Sequence, residues 1–145
     1  DICVAVFELD NEYFAIIGVA SGDSQAALAS SFEVAKKVTN SVGGKQVTTY
    51  EPNGNISNVL SGAMQPSQAA DFISLGSKTT VGFTEPGGSQ NIIDNTNPVY
   101  IKFRKFDGSV VSGYGEYQVG SRGDISKNTS TLVVEKTTGN IHLKK

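Results

Sequence analysis

The chain has 145 residues, 16 glycines, one cysteine and no tryptophan, with 18% charged residues and a formal net charge of -2. That length fits one domain spanning residues 1–145, and a second independent core would be cramped. A single cysteine excludes an internal disulfide, and the slight acidity argues against sequence-independent grip on nucleic acid, which needs a basic face.

Fifteen valines against six leucines point to pleated surfaces rather than helices. No run approaches the length of a transmembrane helix. Ile2–Leu9 and Tyr13–Ala20 are apolar runs around Asp10-Asn11-Glu12, which reads as a β-hairpin. In 25–39, Leu28, Phe32, Val34 and Val38 fall on one parity. A two-residue period predicts one long strand there, against the helical propensity of its Ala, Glu and Lys. Asn40–Gly44 reads as flexible, Lys45–Tyr50 as a strand and Pro52-Asn53-Gly54 as a turn. Asn55–Met64 reads as a strand, with Ile56, Leu60 and Met64 on one parity. Pro66-Ser67 opens the one expected helix, centred on Ala69–Leu75 and closed by Gly76.

Lys78–Glu85 is a further strand, and Glu85–Pro98 reads as a long loop. Val99–Phe106 and Val110–Gly120 flank Asp107-Gly108, a strong hairpin signal. Thr129–Thr138 alternates again before Gly139-Asn140 and the tail Ile141–Lys145. The expected fold is therefore mainly β: a β-sandwich or small β-barrel of about eight strands with one short flanking α-helix.

Chemical motifs are sparse. His142 and Cys3 lack the partners that a metal site or an activated nucleophile needs, so no catalytic, cofactor or metal residues are expected. Gly43-Gly44-Lys45 lacks the spacing of a phosphate loop. Gly113-Tyr114-Gly115 marks a bulge or a close backbone approach. Arg122-Gly123-Asp124 matches the integrin tripeptide, but Gly and Asp are turn formers and a turn is expected there. Asn128-Thr129-Ser130 is a glycosylation sequon of equally low specificity. Lys102, Arg104 and Lys105 make a small basic patch, read as a solvated or subunit-contacting strand face.

The order of elements is more informative. A hairpin ending Ile16-Ile17-Gly18-Val19-Ala20 leads to Ser41-Val42-Gly43-Gly44-Lys45. The second half runs through Ile101-Lys102-Phe103, Asp107-Gly108, Gly113-Tyr114-Gly115-Glu116-Tyr117, Thr131-Leu132-Val133-Val134 and Gly139-Asn140-Ile141. This succession, over nearly the whole chain, resembles the major tail proteins of tailed bacteriophages, which are similar to the tube proteins of contractile and type VI secretion systems. The resemblance implies a virion structural protein, assembled in the host cytoplasm, whose copies form stacked, hexameric rings. It implies DNA and a tape-measure protein in the lumen without sequence-specific binding, and tail terminator and baseplate or tip proteins as further partners. It implies no enzyme activity, cofactor or membrane. The family's long loop toward the neighbouring ring maps onto Val38–Gly54, with Val38, Asn40, Gly43, Gly44, Lys45, Tyr50 and Gly54 as ring-stacking residues. The chain opens at Asp1, where the family often carries an N-terminal arm, so processing or a longer chain is expected.

Two other readings compete. A pilin or adhesin-like β-sandwich would polymerise by donor-strand exchange, with Ile2–Leu9 as the donated arm. A carbohydrate-binding β-sandwich would want exposed aromatics, ideally the Trp that is absent.

Overall fold

The computed structural model describes residues 1–61 and 73–144. Strands β1 (Ile2–Leu9) and β2 (Glu12–Val19) form the first hairpin. Asp10 and Asn11 both take positive φ at its turn, a conformation that short polar side chains tolerate. Helix α1 (Gln25–Ser31) follows, then β3 (Glu33–Val42), β4 (Lys45–Asn55) and α2 (Ile56–Leu60). The remaining described elements are the strands β5 (Ile73–Gly76), β6 (Thr79–Thr84), β7 (Asn91–Ile92), β8 (Val99–Phe103), β9 (Val110–Ser112), β10 (Gly115–Ser121), β11 (Ser130–Val134) and β12 (Ile141–Leu143).

These strands make two sheets, antiparallel throughout. One runs β4-β3-β2-β1-β8-β9, with β5 sharing the far edge of β2 with β3; the other runs β12-β11-β10-β6-β7. The expected mainly β sandwich is the fold observed, with more and shorter strands than the pattern suggested.

The first sheet is covered on both faces. Cys3, Ala5 and Phe7 of β1 join Ile16, Leu28, Phe32, Val34, Ile56 and Val59 in a cluster on the helical side. Val6, Val99 on β8 and Val110 on β9 belong to the face toward the second sheet, where Val81, Phe83, Tyr117 and Val134 complete the inter-sheet core. Each large side chain buried in this way contributes roughly 1.5–3 kcal/mol. Tyr13 links the sheets by donating its hydroxyl to Ile93 O at 2.8 Å.

The long strand expected over 25–39 is instead a helix followed by a strand. Ser24 caps α1 by accepting from Ala27 N, and Leu28 and Phe32 are buried one turn apart. Spacings of four fit both a helical face and a two-residue period, so parity alone misled. The same ambiguity, in the spacing of four between Ile56 and Leu60, explains the strand expected over Asn55–Met64, where α2 lies instead: Asn55 accepts from Ser57 N, and Ile56 and Val59, three apart, are buried as a helical face. The helix expected from Pro66 lies outside the described residues as far as residue 72, and its expected end, Ile73–Gly76, is strand β5.

The passage between sheets after β9 depends on glycine. Gly113 and Gly115 take φ of 86° and 138°, and a Cβ on either would collide with a carbonyl oxygen, of Tyr100 and Thr84 respectively. This is the close backbone approach that the Gly-Tyr-Gly pattern predicts.

Candidate functional site

The segment 38–54, expected as a loop, is a long hairpin. Gly43 and Gly44, at φ of 58° and 81°, form its two-residue turn between the paired residues Val42 and Lys45. Pro52-Asn53-Gly54, expected as a turn, is a bulge within β4: Ala35 pairs with Pro52 and Glu33 with Asn55, so β4 has one residue more than its partner.

Strand β3 pairs with β2 only through Val34 and Glu33. From Ala35 to Val42 its ladder partner among the described residues is β4 alone. At a strand rise of about 3.3 Å per residue, this two-stranded arm projects roughly 25 Å beyond the sheet. Every residue from Thr39 to Pro52 is exposed.

The arm has two unlike faces. The ladder places Val38 opposite Thr49, Asn40 opposite Val47 and Val42 opposite Lys45, which puts the three valines on one face. Lys37, Tyr50, Thr39, Thr48, Ser41 and Gln46 occupy the other, where Thr39 Oγ1 and Thr48 Oγ1 lie 3.3 Å apart. Val34, on the parity of Val38 and Val42, is buried in the helical-side core, so the valine face continues that core outward. Of the expected ring-stacking residues, Val38, Asn40, Gly43, Gly44, Lys45 and Tyr50 lie on the arm and Gly54 lies at its base.

Other strand edges are short. The outer strands β7, β9 and β12 have two or three residues each, whereas β4 presents eleven. Short edges limit unwanted pairing, and a long open one invites it.

The other candidates are absorbed by the fold. Burial pushes the Cys3 thiol up to about 12, only partly opposed by Lys102, so it stays protonated and unreactive at neutral pH. Burial likewise pushes Tyr100 up to about 12 and Tyr117 upward. Lys102 is not on the basic, solvated face expected for it: it is 7% exposed and donates from Nζ to Gly22 O at 2.7 Å, with Asp23 at 3.4 Å. Both faces of β8 are packed, which removes the patch and leaves Arg104 and Lys105 in the turn beyond it.

Arg122 of the RGD tripeptide donates to Asn11 O and Ser77 O, tying three turns together, while Asp124 accepts from Ser126. His142 lies 3.7 Å from Glu135 on the exposed edge of β12. Among the described residues no group of three His, Cys, Asp or Glu is placed to hold a metal ion, and no helix is long and apolar enough to cross a membrane.

Sequence reading missed two features. Gln25 donates from Nε2 to Tyr100 O at 2.6 Å and Ser112 Oγ at 2.9 Å, and its Oε1 accepts from Tyr100 N at 2.9 Å. The side-chain amide thus occupies the edge of β8 that the short β9 does not reach. The second is a set of open hollows meeting at Glu85, one of ≈ 730 Å³ beside β7 and one of ≈ 670 Å³ beside the end of β11. In the first, desolvation opposes ionisation of Asp94, but hydrogen bonds from Thr96 and Asn97 outweigh it and hold the carboxyl below its usual range. No local sequence signal marks these hollows, because residues from distant segments line them.

Comparison with protein families, curated proteins and solved structures finds no match to this chain.

Proposed function

We propose that the chain is a structural, non-enzymatic subunit that polymerises with its own copies into stacked rings of a viral tail tube, a conduit for DNA delivery. The observation that carries this reading is the arm of β3 and β4, exposed from Thr39 to Pro52 and with no further strand beside it among the described residues. A two-stranded hairpin alone is at best marginally stable in water, and a long open edge is an aggregation hazard in a monomer. An arm of this kind makes sense in a protein whose resting state is an assembly. The low charge fits the same picture, since a surface that meets other subunits carries few charges at its centre. The order of elements that resembles tail proteins supplies the ring-and-tube form, the lumen and the partners expected there.

The donor-strand alternative is disfavoured by the place of Ile2–Leu9. That strand pairs with β2 on one side and β8 on the other, inside its own sheet.

Negative-stain microscopy of the purified chain tests the proposal. Hollow tubes or six-fold rings are expected. Replacing Lys36–Glu51 by a two-residue turn should leave a soluble, folded protein that forms neither. Thin fibres, or a strict monomer at high concentration that binds sugar, would overturn the reading.

A further inference from the structure

The arm from Ala35 to Pro52 carries Lys36, Lys37 and Lys45 against Glu51 alone, a formal +2. With the whole chain at -2, the rest of the molecule holds -4. Much of that acidity borders three neighbouring hollows that share Glu85. Glu85 lines all three hollows that meet beside it, and Asp23, Asp94, Glu116 and Glu135 line one or another of them. Lys136 is the one cation among these lining residues; from outside the lining, Lys144 Nζ lies 2.6 Å from Glu116 and Lys102 Nζ 3.4 Å from Asp23, which leaves Glu85, Asp94 and Glu135 as the rim's carboxylates without a lysine beside them among the described ion pairs. The floor is partly apolar, formed by Phe83, Ile92 and Val99 on one side of Glu85 and by Pro86 and Val133 on the other.

We infer, on the basis of the tube reading, that this acidic-rimmed groove of one copy receives the basic, valine-faced arm of the next. The two surfaces are complementary in charge and both carry apolar residues at their centres. Such complementarity speeds encounter and fixes register more than it adds affinity. Arm and groove are different parts of the chain, so the contact is heterologous: each copy offers one of each, and growth runs head to tail until the rotation closes or a helix advances. A face roughly 25 Å by 10 Å covers a few hundred Å², below the roughly 800 Å² per partner of a standard stable interface. A single arm-in-groove contact is therefore weak, and it gains strength when many are made together.

A charge swap tests the contact. An arm variant, Lys36→Glu with Lys45→Glu, and a groove variant, Glu85→Lys with Glu135→Lys, are each checked for folding by circular dichroism. Each alone should raise the concentration needed for assembly at least tenfold at low salt. Mixing the two should restore it to within about threefold of the unaltered chain, because each altered arm then meets an altered groove. If the unaltered chain assembles but the arm variant assembles equally well, or if mixing restores nothing, the groove assignment is overturned while the tube reading stands. If the unaltered chain never assembles, the tube reading falls and the arm contact with it. A short bismaleimide should join Lys45→Cys protein to Glu85→Cys protein. Joining of Lys45→Cys protein only to itself would instead mean a closed arm-to-arm dimer and would overturn the inference.

Discussion

Strands β1 and β3 have similar hydrogen-bonded ladders and opposite surroundings. β1 has a strand on each side, helices over one face and a sheet over the other. Beyond Ala35, β3 has one neighbouring strand and no cover among the described residues. Regular backbone pairing is common to both, so pairing is not what separates a core from an arm. Burial does that: the apolar faces of β1 are shut inside the molecule, whereas Val42 and Val47 on the valine face of the arm are exposed.

If this contrast is correct, equivalent truncations should behave very differently in the two regions. The largest effect is expected at Phe32, fully buried and seated where Gly18 leaves room for its ring. Phe32→Ala should cost about 3–5 kcal/mol, read from the midpoint of denaturant unfolding. Gln25→Ala should come next, at about 1–3 kcal/mol, because it strips the N–H and C=O of Tyr100 of their partner. A loss this size would confirm that β8 needs the amide as a substitute strand, and no loss would mean that water serves as well. The smallest change in stability is expected on the arm. Val47→Ser, at an exposed position, should stay within about 0.5 kcal/mol of the parent. Electron microscopy of the same variant should nevertheless show assembly lost. A Val47→Ser protein that was strongly destabilised as a monomer would erase the distinction between the two regions.

What the sequence made legible follows the same division. Turns written in local chemistry were readable: Asp10-Asn11 between β1 and β2, and the glycines around Tyr114 between sheets. Helices were not, because Leu28 and Phe32, or Ile56 and Leu60, are four apart and satisfy two periodicities at once. The caps Ser24 and Asn55 were the available signals that would have decided for helix. Segment 38–54 was assigned a loop by the resemblance, whereas the residues themselves read as a strand over Lys45–Tyr50 beside the Gly43-Gly44 turn, and the structure has a hairpin there. Lys102 misled because alternation on β8 was taken to mean one wet face, while the loop at Gly22 covers it. The groove was out of reach of any local pattern, as Asp23, Glu85 and Glu135 meet only in the folded chain.

The pairing of β1 with β8 also sets an order in time. Ile2 pairs with Phe103 and Val6 with Val99, so the first sheet cannot be completed until most of the chain has been made and a very long loop closed. The β3–β4 hairpin needs only its own two-residue turn, and hairpins of that kind form in microseconds. A nascent chain can therefore sample its arm early, as a marginal hairpin, whereas the hollows at Glu85 form late, when residues up to 137 are in place. Under the proposed arm-in-groove contact, an incomplete chain could offer an arm but not accept one, which would leave it at the end of a growing polymer and never in its middle.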